Sequence, residues 1–264
     1  MSYFDGDWLL EVARGNVAGA SVVHKFGRNS SVGTTFVPVS IGGVYEVPTS
    51  ATTLRIKAGG NANDTAAGSG AREVTLIGLD GSYNEISEAV ATNGASASSA
   101  TSNSFTRLYR AYVSSSGTYA NTSAGSHSAS ITIENGAGGT DWLTIDATGG
   151  FPNGQSEVAV YSVPTGYNAY IMSGLLMSDS SKTTDMILYR RENIDDTTSP
   201  YSAMRALFVA QTNGGEFLFN PESPIKVTGP ADIGWMTKVD TGTAQVAVNF
   251  EMLVIQPSAS RSRR

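Results

Sequence analysis

The chain of 264 residues contains no cysteine. Disulfides, thiolate nucleophiles and cysteine-ligated metals are therefore excluded. Histidine is almost missing too: only His24 and His127 occur, far apart in unrelated contexts. Neither has a second histidine two or four positions on to make a zinc pair, so each is expected to be an ordinary surface or arm residue. Charge is scarce at 15% of residues, against the usual ~25%. The net charge is −6 and the only basic cluster is Arg261-Ser262-Arg263-Arg264 at the end. A protein that grips phosphate backbones needs a basic face, so nucleic acid is not an expected partner. No run approaches the ~18 apolar residues of a membrane-spanning helix, so no membrane is expected either. Residues Met1 to Glu11 carry Asp5 and Asp7 with no basic residue. They do not read as a signal peptide, and the chain is expected to be made in the cytosol.

Glycine, serine, threonine, alanine and asparagine fill the space that charge leaves, as in all-β virion, adhesin and lectin-like proteins. Asp7 to Arg14 reads as a short helix, with Asp7 as N-cap and Gly15 as stop. Asn16 to Gly33 reads as irregular, with Val22, Val23 and Phe26 as lone apolar anchors. From Thr34 onward, short runs rich in Val, Ile, Thr, Tyr and Phe recur between Gly, Pro, Asn and Ser. Strands are predicted near 35–39, 52–57, 72–78, 83–90, 104–113, 128–134 and 141–146. The second half predicts them near 156–163, 168–177, 184–191, 203–211, 216–219, 232–238 and 244–255. In the last, Val246, Val248, Phe250, Met252 and Val254 alternate with more polar residues, the period of a strand with one buried face. Asp80-Gly81 between two strand runs reads as a type I′ hairpin turn.

The phrase Val44-Tyr45-Glu46-Val47-Pro48-Thr49 returns as Val160-Tyr161-Ser162-Val163-Pro164-Thr165. Such an offset points to duplicated domains rather than a solenoid. The fold expected is all-β: two tandem antiparallel β-sandwich, jelly-roll-like domains with an N-terminal extended arm. The division is 1–33 for the docking arm, 34–148 and 149–257 for the sandwiches and 258–264 for a basic tail. The joint falls in the Gly/Pro-rich stretch 147–154. The polar loops Gly59 to Gly70 and Gly94 to Asn103 are either flexible tips or surfaces packed on neighbours.

No motif for catalysis emerges. Glu85 and Glu88, three apart on a strand, face opposite ways, as do Asp141 and Asp146, so neither pair suits glycoside hydrolysis. Asp80 to Glu85 lacks the glycine and the terminal glutamate of a calcium loop. The glycine-rich stretches lack a following Lys-Ser/Thr and are no phosphate cradle. Gly68-Ser69-Gly70 precedes a strand, not the helix of a nucleophile elbow. No cofactor, metal or catalytic residue is expected, and the protein is read as a non-enzyme. Arg190-Arg191-Glu192-Asn193-Ile194-Asp195-Asp196 is the one dense charge cluster, suited to internal pairs or to a subunit interface. Tyr119 and Trp142 are the only mild candidates for stacking on a sugar.

Two stretches carry a family resemblance. One is Val12 to Val17 followed by Ser21 to Asn29. The other runs Asn63-Asp64-Thr65-Ala66-Ala67-Gly68-Ser69-Gly70-Ala71-Arg72-Glu73-Val74, through Gly78-Leu79-Asp80 and Tyr83-Asn84-Glu85, to Leu108-Tyr109-Arg110-Ala111-Tyr112-Val113. They resemble predicted virion structural proteins encoded by tailed bacteriophages of aquatic bacteria, including phages of cyanobacteria. The resemblance implies a virion component and carries over no functional residue. The function expected is a capsid-bound decoration or cement protein, a homotrimer that binds the major capsid protein or another virion protein. A tail, baseplate or fibre-anchoring component is the alternative, and a carbohydrate-binding module or depolymerase is the alternative of another class. Assembly contacts are expected at Phe4, Trp8, Leu9, Leu10, Phe26, Arg190 and Arg191.

Overall fold

A computed structural model describes residues 7–119, 121, 125–147 and 154–257. It has one helix, α1 (Trp8–Ala13), and fourteen strands among these residues. In the first half they are β1 (Ala20–Val32), β2 (Val37–Pro38), β3 (Leu54–Ile56), β4 (Ala71–Leu79), β5 (Glu85–Ala91), β6 (Arg107–Ser116), β7 (Ile131–Asn135) and β8 (Asp141–Ile145). In the second half they are β9 (Val160–Val163), β10 (Asn168–Glu192), β11 (Arg205–Phe219), β12 (Ile225–Thr228), β13 (Ala231–Val239) and β14 (Ala244–Ile255). The all-β, antiparallel reading holds.

Two three-stranded sheets, β3-β7-β8 and β5-β4-β6, enclose a first core of Leu54, Leu76, Phe105, Leu108, Ile133, Trp142 and Ile145. The polar loops around them are anchored to the body by hydrogen bonds. Thr101 Oγ1 and Ser98 Oγ accept the backbone N–H groups of Leu54 and Ile56, both at 2.9 Å, so the 94–103 loop completes the edge of β3. Asp64, 3% exposed, draws the 59–70 loop inward by accepting the N–H groups of Ala71, Ser128 and Ala129 at 2.8–3.0 Å.

The second sheet is nearly closed and barrel-like. Its spine is β10, which the sequence reads as two strands. Its first part, to Ser178, pairs with β14, and from Thr184 it pairs with β13 instead, while β12 and β11 run along its other edge. The ladder with β11 skips between Ser178 and Thr183. There the hairpin bends, and β11 bends with it at Gly214 and Gly215, both at positive φ. The bend brings Phe208 against Phe217 and Phe219 at ring distances of 5.5 and 4.8 Å. Trp235, fully buried, meets Phe219 edge-on at 5.8 Å. Burying each such side chain stabilises the fold by ~1.5–3 kcal/mol. Strand β9 lies between the two cores: Val160 belongs to the first, and Tyr161 and Val163 to the second. Leu79, Tyr83 and Tyr109 from the first half also lie in the second core.

Three expectations are corrected. Residues 20–32 are not irregular: β1 pairs with β14 from Ala20↔Ile255 to Val32↔Ala244 and forms an outer strand of the large sheet. The repeated phrase does not occupy equivalent places, since Val160–Val163 is a strand whereas Val44 to Pro48 follows a 3-10 turn and forms none. The Asp80-Gly81 turn is not type I′. Tyr83 N–H donates to Asp80 O at 3.1 Å and Tyr83 itself takes the positive φ of 61°, a three-residue loop closed by a left-handed residue. Tyr83 tolerates that conformation with its ring buried and its hydroxyl donating to Ile194 O at 2.8 Å.

Candidate assembly surface

Helix α1 forms where its caps place it. Asp7 Oδ1 accepts the Leu9 N–H at 3.0 Å, and Gly15, just past the end, has φ +78°. Glu11 pairs with Arg14 at 2.8 Å. Val12 is its one buried residue, which leaves Trp8, Leu9 and Leu10 exposed at 38%, 42% and 47%. These three are brought together on one short element. Phe4 lies outside the described residues. Phe26 is a half-buried residue of β1 in register with Asn249, not an anchor of a loose arm.

Arg190 and Arg191 sit near the end of β10. Arg190 Nη1 lies 3.2 Å from Glu192 Oε1, and Arg205 also pairs with Glu192, so the ion pairs seen in this cluster are internal. The Nε atoms of Arg190 and Arg191 are buried and have no hydrogen-bond partner among the described residues.

Sequence reasoning missed the outer face of β11. Val209 and Leu218 are 63% and 66% exposed, with Tyr201 and Met204 nearby in sequence at 53% and 51%. Strand β11 pairs only with β10 among the described strands, so its other edge is open. The signal is present in Phe217-Leu218-Phe219, whose outer two residues pack into the core. When three consecutive apolar residues lie on a strand and the outer two turn inward, the middle one must face out. An exposed apolar edge strand invites pairing with another chain.

The chemistry-bearing residues are held in structural roles. Glu88 accepts the N–H groups of Ser102 and Asn103 at 2.6 and 2.8 Å. Asp141 pairs with Lys57 at 2.7 Å, and Asp146 with Arg28 at 3.2 Å. His24 meets Glu251 at 3.1 Å on the surface of the large sheet. His127 is buried rather than exposed, its Nε2 3.2 Å from Asp146 O, and burial lowers its pKa. No group of three or more metal-ligating side chains occurs among the described residues. Trp142 is a core residue whose Nε1 donates to Asn135 Oδ1 at 2.6 Å, which removes it as a sugar platform; Tyr119 is 92% exposed.

No protein-family model matches the sequence, and no curated protein does. Among solved structures, one of infectious bursal disease virus, Gx strain, aligns at 10% identity and a TM-score of 0.27, over 91% of this chain and 73% of that one. A mutant VP2 protein of the same virus, in T=1 particles, aligns at 7% identity and a TM-score of 0.20, over 96% of this chain and 80% of that one. The isomalto-dextranase of Arthrobacter globiformis, in complex with panose, aligns at 12% identity and a TM-score of 0.17, over 90% of this chain and 35% of that one. Likeness at this level carries no argument about function.

Proposed function

We propose that this chain is a structural component of a bacteriophage virion, without enzymatic activity, and within the virion a capsid-bound decoration or cement protein. The observation that supports the reading is the pair of outward apolar surfaces, Trp8-Leu9-Leu10 on α1 and Val209 with Leu218 on β11. A body with two packed cores has no internal reason to leave such residues in water, whereas a subunit with two contacts, one to its own copies and one to a shell, does. In this reading β11 joins copies into a homotrimer and α1 docks on the major capsid protein or another virion protein. Many weak contacts repeated around a symmetric particle then gain strength through effective concentration. The sequence resemblance to phage virion proteins points the same way.

The short, capped and outward-facing α1 also suits a plug, which favours a second reading as a tail or baseplate component. Labelling the protein on purified virions separates the two. Decoration expects many copies spread over the head; a few copies confined to the tail overturn it in favour of the second reading. Absence from virions overturns both.

A further inference from the structure

Strand β1 and the β4–β6 sheet leave between them a cleft of about 480 Å³, within the ~300–1,000 Å³ usual for small-ligand sites. A second hollow of about 400 Å³ shares Ser21, Glu85 and Tyr161 with the first and lengthens it into a groove. In the first hollow lies Lys25, 7% exposed. Its Nζ donates to Tyr109 O at 2.5 Å, and no carboxylate lies within ion-pair distance among the described residues. The carboxylate of Glu85 in the same cleft is already taken by the Tyr109 hydroxyl at 2.5 Å.

A buried ammonium without a counter-charge is costly, and an arriving anion would relieve that cost. Burial, and then the nearby charge of Arg110, lowers Lys25 to about 7. The titratable and charged residues that line the same hollow are Arg110 and Tyr109 from β6, Glu85 from β5, Tyr161 from β9 and His24 of β1, whose side chain lies on the other face of the strand, paired with Glu251 of β14. With Lys25 and Arg110 against Glu85, the cleft is cationic in a chain whose net charge is −6. The apolar surfaces of Phe26 and Ile77 lie among these groups, beside the Gln155 amide. The second hollow adds Asn84, Thr165 and Tyr167. Apolar patches ringed by amides and hydroxyls match a pyranose, whose faces are C–H and whose rim is hydroxyl. Two joined hollows match more than one ring.

We infer that this groove binds an acidic oligosaccharide, with a uronate carboxylate on Lys25 Nζ and Arg110 and ring hydroxyls on Gln155 and Asn84. The inference is independent of the virion reading. The test is calorimetric titration of the full chain with tetragalacturonate at pH 6, with maltotetraose and sodium acetate as controls. Binding of tetragalacturonate alone is expected. Lys25→Met should weaken it at least ~10-fold, with the melting temperature showing that the variant is folded. Arg110 is exposed, so Arg110→Gln removes a rim charge without touching the core and should weaken binding ~3- to 10-fold. Affinity should also fall from pH 6 to pH 9 as Lys25 gives up its proton. Failure of tetragalacturonate to bind, unchanged binding by Arg110→Gln and Lys25→Met, or equal binding of acetate, an adventitious ion only, would each overturn the proposal.

Discussion

Arg107 of β6 and Asp232 of β13, each 2% exposed, form an ion pair with Nε 3.0 Å from Oδ2. The Asp232 carboxylate also accepts the Ser162 hydroxyl at 2.6 Å, so Tyr45 must be the donor in its 2.8 Å bond to Ser162. Arg107 further donates to the carbonyls of Pro48 and Thr106. One polar network thus ties β6, β9, β13 and the 45–48 segment together where the two cores adjoin. Removing one partner of a buried pair leaves an uncompensated charge and costs ~3–5 kcal/mol. Asp232→Ala is expected to lower unfolding free energy in urea by about that amount, while the double variant Arg107→Met/Asp232→Leu loses much less. Equal losses in the single and double variants would show that packing, not charge, sets the cost.

The elements most legible in the sequence were those whose buried face is apolar. Strand β14 alternates as predicted, and α1 begins and ends at its predicted caps. Strand β1 was illegible because its inward residues are Lys25, Gly27 and Asn29, which give no apolar period. Gly27 is there because its backbone touches its neighbours: a Cβ would lie 2.2 Å from Val39 O and 2.3 Å from Ala159 N. The repeated phrase does not mark a symmetry of the fold. Its two copies meet through Tyr45 and Ser162 instead of marking equivalent strands. The exposure of Leu218 is legible in Phe217-Leu218-Phe219, but that of Val209 is not, because burial on the bent strand depends on which face closes the barrel and Leu207-Phe208-Val209 does not specify it.

Gly27→Ala is accordingly expected to destabilise the fold by ~1–3 kcal/mol or more, since backbone on both sides blocks relaxation. The loss should be concentrated in β1, where amide hydrogen exchange over 20–32 should accelerate more than in β13. Uniform acceleration across the sheet would show that β1 is not a separable layer.

Stability should depend on pH in a way that Lys25 sets. Its native pKa is about 7, below the 10.5 of the unfolded chain. Between these values the unfolded chain binds a proton that the native state does not, so stability rises from pH 7 towards pH 10. The full rise, reached above the unfolded pKa, is on the order of 5 kcal/mol. Above pH 10 the sign reverses. Burial raises the pKa values of Tyr45, Tyr109, Tyr161 and Tyr189, so the unfolded chain loses those protons first and stability falls. Melting temperature should therefore peak between about pH 9 and 10, and Lys25→Met should remove the rise between pH 7 and 9. A wild-type profile flat over that range contradicts a buried, neutralising lysine.

The docking role of α1 can be separated from the fold. Deleting all of 1–33 would take away β1 with its ladder to β14. Deletion should therefore stop at Val17. Since Val12 is the only residue that α1 buries, the triple variant Trp8→Ser/Leu9→Ser/Leu10→Ser is expected to change stability by no more than ~1 kcal/mol. The same variant should fail to join virions when it competes with wild-type protein during assembly. Incorporation in proportion to its supply would remove α1 from the assembly surface.

The outer face of β11 carries the last expectation. Val209 and Leu218 are each about two-thirds exposed, at 63% and 66%, and they flank the bend of a strand whose far edge has no partner among the described strands. Lysine at such positions is a common protection against edge-to-edge association. Val209→Lys/Leu218→Lys places two charges on the face without entering the Phe208, Phe217 and Phe219 cluster behind it. Stability should change by roughly ±0.5 kcal/mol per site, as for surface substitutions generally. A trimer measured by light scattering should become a monomer, because two like charges per subunit would have to be desolvated at each contact. A double variant that remains trimeric would place the subunit contact elsewhere on the body, and a wild-type protein that is monomeric at every concentration would leave β11 to contact the shell instead.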